Sequence, residues 1–216
     1  MNENKYNIGI VVSRIDFGAA ELLEVDLAVK LSELNHNVIL LPQYSSAKFN
    51  DKEFEKQLIK YRLRVERLNY DKPLNCLLKV IKIRNLKLDF IISNSRGTDF
   101  LSYFISTFTI TKHLIGFHTY YYPSELNTPI NQLWLRLIRK SDYTFHITNY
   151  TLKTNIKVLD LNKSKCSILY NSIDFADKIN VKKFNKSKYG IPTDKKIVLS
   201  IGRIEHNKGY NNNLDI

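Results

Sequence analysis

The chain has 216 residues, 44% of them hydrophobic and 25% charged, and carries a formal net charge of +12. That length suits one well-cored domain with little left for a second, and the composition is ordinary for a globular protein. No apolar run approaches the roughly 20 residues of a membrane-spanning helix, and Met1-Asn-Glu-Asn-Lys5 is no signal peptide, so the expectation is a cytoplasmic protein.

Strand and helix patterns alternate from the start, which predicts an α/β architecture, a parallel sheet covered by helices. Residues 6–13, with Ile8, Ile10, Val11 and Val12, read as the first strand. Leu23, Leu27, Ala28, Leu31 and Leu34 recur at helical spacing and give a helix over about 20–34. Asn35 suits its end, because Asn tolerates the left-handed conformation common there. Val38-Ile-Leu-Leu41 is the second strand, closed by Pro42. The middle offers a helix near 51–60, a short strand at 64–68 and a helix near 74–85. A strand follows at 89–93, residues 100–105 belong to the next helix, and the strand at 112–117 delivers His118 at its C-terminal end. Ile130, Leu133, Trp134, Leu137 and Ile138 make the apolar stripe of a helix whose other face carries Arg136, Arg139 and Lys140. A strand at 142–148, a helix at about 150–159 and a strand at 165–170 complete the sheet.

From 171 to 194 the composition turns polar and lysine-rich, as in a linker. Ile197-Val-Leu-Ser-Ile201 then reads as a buried strand. It stops at Gly202 and delivers Arg203 and, five positions on, Lys208, followed by Gly209. A glycine turn lets backbone N–H groups approach an anion, and two fixed cations suit a diphosphate. A strand followed by a solvated basic turn fits these residues equally well when they are taken alone.

Cys76 and Cys166 stand apart in apolar patterns and read as buried thiols rather than a disulfide or metal pair. No His/Cys/Asp cluster has metal-ligand spacing. The excess positive charge calls for an acidic partner: anionic lipid, phosphorylated substrate or nucleic acid. The basic residues are scattered through helical segments, as in Lys79, Lys82, Arg84 and Lys87, with no stacked-aromatic platform, so nucleic acid is the least favoured. In open α/β sheets, ligands sit at the C-terminal ends of the strands. That rule selects 16–21, 93–97, 118–122, 148–149 and 202–208. Ser13-Arg-Ile-Asp-Phe-Gly18 offers one glycine where a dinucleotide-binding turn needs three, which argues against a nicotinamide enzyme. His36 reads as structural, and His113, His146 and His206 join no constellation.

Asn171-Ser-Ile-Asp174 resembles the Asn-Gly-Val-Asp element of the retaining, two-Rossmann-domain (GT-B) glycosyltransferases of family 4. In that family a Gly-Arg…Lys-Gly motif follows at about the distance found here for Gly202-Arg203 and Lys208-Gly209. Gly18-Ala-Ala-Glu21 resembles the family's Gly-Gly-Ala-Glu loop, with Ala19 in place of the second glycine. Asn35-His36-Asn37-Val38 stands where the family usually has Gly-His-Glu-Val. The resemblance implies transfer of a hexose from a nucleotide-diphosphate sugar to an acceptor hydroxyl, with retention of configuration and no cofactor or bound metal. It implies a Rossmann-like acceptor-side domain over 1–170, with helices on both faces of its sheet. A hinge over 171–194 and the start of a donor-binding domain over 195–216 would follow.

On the same resemblance, Arg203 and Lys208 bind the donor diphosphate, with Gly18 and Ala19 near it at the first helix's positive N-terminus. His118 is the catalytic candidate, able to hydrogen-bond sugar hydroxyls or stabilise charge as the glycosidic bond breaks. Asn171, Asp174, Gly202 and Gly209 shape or line the site. The family's later Glu-x7-Glu pair does not follow Gly209 here, so a truncated and inactive form is expected. The alternatives are an acceptor- or membrane-binding subunit that works with a separate C-terminal half, and a basic nucleic-acid-binding domain. Expected partners are the nucleotide sugar, an acceptor glycan or lipid, and an anionic membrane contacted peripherally at its inner face. For the helix over 130–140, a core-facing role is favoured over a membrane-surface one.

Overall fold

The computed structural model describes residues 4–13, 19–43, 58–59, 63–68, 81, 83–172, 185–199 and 201–202. They fall into two compact units, 1–171 and 172–216.

In the first unit, strand β1 (Asn7–Val12) is followed by helix α1 (Ala19–Glu33) and strand β2 (Asn37–Pro42). Asn35, at φ 65°, ends α1 in the left-handed conformation its short side chain tolerates. A two-residue β3 (Arg64–Val65) and β4 (Phe90–Ser93) come next. Then follow α2 (Arg96–Phe108), β5 (Lys112–Phe117), a 3-10 turn (Pro123–Leu126) and α3 (Pro129–Ile138). Strand β6 (Tyr143–His146), helix α4 (Asn149–Leu159) and β7 (Cys166–Ile168) close the unit.

The seven strands form one sheet in the order β3-β2-β1-β4-β5-β6-β7. All of its pairs are parallel. The chain winds one way from β1 through β2 to β3 and the other way from β4 to β7. The β1–β4 seam is therefore the switch point, where open α/β sheets leave a crevice at the carboxyl edge.

Both faces of the sheet are covered, so the central strands are apolar on both sides. Ile8, Ile10 and Val12 pack with Val25, Ala28 and Val29 of α1, while Val11, Ile39, Leu41 and Ile91 pack with Leu101 and Ile105 of α2. A third cluster joins Ile115 and Phe117 to Trp134, Leu135 and Ile138 of α3 and to Leu159 of α4. Gly116 in β5 permits a close approach: a Cβ there would lie 2.6 Å from the Phe145 ring.

The starts of α2 and α4 are set by side-chain caps at strand exits. Ser95 and Thr148 each accept a hydrogen bond from the backbone three residues on, and Thr98 and Thr151 cap back reciprocally. This is why α2 begins at Arg96, earlier than the apolar pattern at 100–105 suggests. Of the helices expected near 51–60 and 74–85, residues 58–59, 81 and 83–84 are helical, Asn85 lies in a turn, and the remainder lies outside the described residues. Cys166 is half-buried, its thiol donating to the Asn162 carbonyl and accepting from Thr144 Oγ1, while Cys76 lies outside the described residues.

In the second unit, Asn185 caps a 3-10 turn (Lys186–Tyr189) that Gly190 closes at φ 68°. The Lys186 ammonium donates to the Thr193 and Lys195 carbonyls at 3.0 and 2.6 Å. The buried strand expected over 197–201 is not found. Its described residues form no strand, and Val198 and Ile201 are 97% and 87% exposed. An apolar run becomes a buried strand only when neighbours pair its backbone and cover its side chains, and the described residues of this unit do neither. Among the described residues, no helix is long and apolar enough to cross a membrane.

Candidate active site

Parallel pairing puts the exits of β1, β4, β5 and β6 on one edge, so Ser13, Ser93, His118 and Thr148 all lie there. At the switch point the Ser13 and Ser95 hydroxyls are 3.2 Å apart. Beside them, Arg96 opens α2. Its guanidinium lies over the rings of Tyr121, at 5.0 Å, and Trp134, at 5.3 Å, and Nη1 donates to Asn131 Oδ1 at 3.0 Å. Arg96 stays half-buried and, with five N–H donors in all, has donors to spare for an oxygen-rich ligand.

Beneath Arg96 runs a buried polar chain. Trp134 Nε1 donates to Asp99 Oδ2 at 2.8 Å, and Ser93 Oγ donates to Asp99 Oδ1 at 2.7 Å. Ser93 Oγ is also 2.8 Å from His113 Nε2. Burial raises the Asp99 pKa from 3.8 to about 7, against the Ser93 and Trp134 hydrogen bonds and the Arg96 charge, which lower it. Burial lowers the His113 pKa to about 4, a shift that the Asp142 charge partly opposes. Asp142 Oδ2 accepts the His113 backbone N–H at 2.8 Å. The chain holds Trp134, and hence the surface on which Arg96 rests, in one position.

The loop after β5 carries His118 and three tyrosines. Its backbone is clamped by Asn155 of α4, which is fully buried: Nδ2 donates to the Thr119 carbonyl at 2.9 Å and Oδ1 accepts the Tyr121 N–H at 3.2 Å. His146 lies beneath, stacked on Phe117 with ring centroids 5.0 Å apart, its pKa lowered to about 4 by burial. His118 is half-buried, and burial lowers its pKa below 6.5, so its imidazole is neutral near pH 7. Among the described residues, none hydrogen-bonds the His118 ring. A neutral, unengaged imidazole at a strand end can accept or donate one hydrogen bond to a hydroxyl.

Of the other residues singled out from sequence, Gly18, Asp174, Arg203, Lys208 and Gly209 lie outside the described residues. Ala19 is the first residue of α1. Asn171 is exposed just beyond β7 in the first unit, and Gly202 is exposed in the second. His36 is structural: its Nδ1 accepts the Tyr6 N–H at 3.4 Å and its ring meets that of Tyr6. His113 and His146, which looked isolated in the sequence, sit in constellations built from neighbouring strands and helices. Arg96 lies in the 93–97 segment that the strand-end rule selects but carries no assigned role there, and Asp99 and Asn155 fall outside the selected segments. The Ser95-x-x-Thr98 capping pattern directly after a strand was the signal that could have drawn attention to Arg96. Among the described residues, no group of three His, Cys, Asp or Glu side chains could hold a metal ion.

The α3 stripe divides. Trp134, Leu135 and Ile138 are buried, whereas Ile130 and Leu133 are 58% and 46% exposed, next in the helical round to exposed Arg136 and Lys140. The core-facing expectation therefore holds for one half of the stripe only.

The family model described as Glycosyltransferase Family 4 matches residues 21–177, most of the chain. The chain belongs to glycosyltransferase family 4. Curated proteins offer no match. Among solved structures, HepE of Anabaena in complex with UDP and glucose is 14% identical, with a TM-score of 0.64 over 79% of this chain and 45% of that one. A glycosyltransferase from Rickettsia africae is 20% identical, with a TM-score of 0.64 over 88% and 51% of the two chains. Sucrose-phosphate synthase from Thermosynechococcus elongatus is 12% identical, with a TM-score of 0.66 over 98% and 59%. The fold of this family 4 chain is thus the Rossmann-like α/β fold of GT-B glycosyltransferases, and the chain spans about half the length of the structures it matches.

Proposed function

We propose that this family 4 chain serves transfer of a hexose from a nucleotide-diphosphate sugar to an acceptor hydroxyl, with retention of configuration and without a bound metal. The observation that carries the reading is the family match over 21–177, spanning the sheet edge where His118, Arg96 and the clamped 118–122 loop converge. In this reading the first unit receives the acceptor. His118, neutral and half-buried, hydrogen-bonds a hydroxyl of the transferred sugar. Arg203 and Lys208 neutralise the departing diphosphate, and Gly202 and Gly209 let the backbone approach it. Fixed cations aimed at charge that develops in the transition state supply much of the acceleration in such a reaction. A carboxylate pair of the Glu-x7-Glu kind does not follow Gly209 in these 216 residues. Turnover is accordingly expected when a segment carrying such a pair is present.

A peripheral contact with an anionic membrane fits the same protein. Exposed Ile130 and Leu133 beside Arg136 and Lys140 combine an apolar strip with a basic flank, as interfacial helices do.

The test is nucleotide release from a panel of UDP- and GDP-sugars by a protein in which a segment carrying the carboxylate pair follows Gly209, with calorimetry for binding. Arg203→Ala and Lys208→Ala should each cost about 2–4 kcal/mol of transition-state stabilisation. Turnover unchanged in both variants would remove the diphosphate role, and with it the donor half of the reading.

A further inference from the structure

Tyr120, Tyr122 and Tyr150 form an aromatic cluster that none of the roles above uses. The Tyr120 ring meets those of Tyr122 and Tyr150 edge to face, both at 5.2 Å between centroids, and the Tyr120 and Tyr122 hydroxyls hydrogen-bond at 2.9 Å. Tyr122 is 54% exposed and Tyr150 63% exposed. Aromatic side chains normally gain by burial, so a contiguous, solvent-facing set marks a contact surface.

We infer that these three tyrosines are a docking subsite for a neutral pyranose residue, the acceptor of the transfer proposed above, on which this assignment rests. Position is the first reason. Tyr120 and Tyr122 share the strand-exit loop of His118, and Tyr150 stands in the first turn of α4, at the exit of β6. All three therefore lie on the carboxyl edge. The second reason is rigidity. Asn155 clamps the backbone at Thr119 and Tyr121, Glu125 Oε2 accepts the Tyr122 N–H at 3.0 Å, and Pro123 starts the turn that follows. A surface held this firmly orders little on binding, which favours weak, shape-reading ligands such as sugars.

Chemistry selects the ligand. A pyranose has a C–H face that packs on a phenol ring and a rim of hydroxyls that a paired phenol can both donate to and accept from. A phenol keeps its proton at neutral pH, and the Tyr122 hydrogen bond raises the Tyr120 pKa further, above its ordinary value of 10. The carboxylate acting on Tyr120 is that of Glu125, an unfavourable neighbour for a phosphate or an acidic sugar. An acyl chain would offer no acceptor to the one hydroxyl hydrogen that the Tyr120–Tyr122 pair leaves free. The cluster suits a neutral glycoside better than either.

The experiment is saturation-transfer NMR on the full chain with the methyl glycosides of glucose, galactose, mannose and N-acetylglucosamine, each at about 10 mM. At least one glycoside should receive saturation on the C–H protons of one ring face. Tyr122→Ala and Tyr150→Ala should each weaken that binding about tenfold, and Tyr122→Trp should retain it. No transfer to any of the four, or transfer unchanged in both alanine variants, overturns the assignment. So does tyrosine-dependent binding to phosphatidylglycerol vesicles with none to the glycosides, which would make the cluster a lipid contact. The transferase reading fails separately, through the UDP- and GDP-sugar panel with Arg203→Ala and Lys208→Ala. If it fails while the glycosides bind, the tyrosines remain a sugar site and their acceptor role falls.

Discussion

Replacing Asp99 with Asn isolates the titration of a carboxyl that the fold keeps wholly from water. Burial raises the Asp99 pKa from 3.8 to about 7. A shift of about three units corresponds to about 4 kcal/mol of differential interaction between the protonated and ionised forms. The sign follows from proton counting. Between about pH 4 and pH 7 the native state binds a proton at Asp99 that the unfolded chain has released, so this group's contribution to stability is full below about pH 4 and lost as pH rises through about 7. His113 and His146 run the other way. Their folded pKa values of about 4 lie below the ordinary 6.5, so their contribution is full above 6.5 and lost as pH falls towards 4.

Asn is close in shape to Asp and stays neutral at every pH. Its carbonyl can accept from Trp134 Nε1, and its amide can donate to Ser93 Oγ, which turns its own hydrogen towards His113 Nε2. Any packing cost of Asp99→Asn is the same at pH 4 and pH 8, so the change in its stability effect between them reports the carboxyl alone. Relative to the parent, the variant should gain about 2–4 kcal/mol between pH 4 and pH 8, the lower end allowing for residual structure in the denatured chain. Urea unfolding followed by Trp134, the only tryptophan of the chain, measures this directly, because the indole N–H is bonded to the carboxylate in question. The parent's native emission should also titrate near pH 7, and that of the variant should not. A stability difference that moves by less than about 1 kcal/mol over the range would refute the buried-carboxyl argument.

Asn155→Ala strips the Thr119 carbonyl and the Tyr121 N–H of their partner; it should cost about 1–3 kcal/mol and raise amide exchange across 119–122, and unchanged exchange there would remove Asn155 as the clamp. Gly116→Ala places a Cβ 2.6 Å from the Phe145 ring and should cost about 1–3 kcal/mol in urea unfolding, unless the half-buried ring slides aside at no measurable cost, which would show the contact to be slack.

How much of this was readable in advance depends on whether a residue's partner is local. Asn35 ends α1 through its own backbone conformation, and β1, β2 and β5 are short apolar runs bounded by polar residues; these signals need no distant neighbour, and the structure follows them. The parallel sheet followed too, because strands that alternate with helices have few other ways to pack. Site residues are different. His113 meets Ser93 across adjacent strands and takes Asp142 from the start of the next, at separations of 20 and 29 residues. Tyr150 meets Tyr120 only because two strand exits lie side by side. Spacing within a motif carries no trace of such lateral neighbours, so histidines such as His113 and His146, each with its own partners, look isolated.

Even a strong local pattern leaves the outcome open when it is wider than one interface. The stripe Ile130, Leu133, Trp134, Leu137 and Ile138 fixes a helix but not which of its edges is buried. Trp134 decides it, because a buried indole N–H needs an acceptor and Asp99 of α2 provides one at 2.8 Å. Burying that edge leaves Ile130 and Leu133 outside. The run over 197–201 shows the same limit in a strand. Its apolar residues favour a covered environment, yet a strand also needs at least one neighbouring strand to pair its N–H and C=O groups, and hydrophobicity says nothing of which it is. Val198, 97% exposed, lacks such cover among the described residues, whereas Val11, equally apolar, is fully buried between β2 and β4.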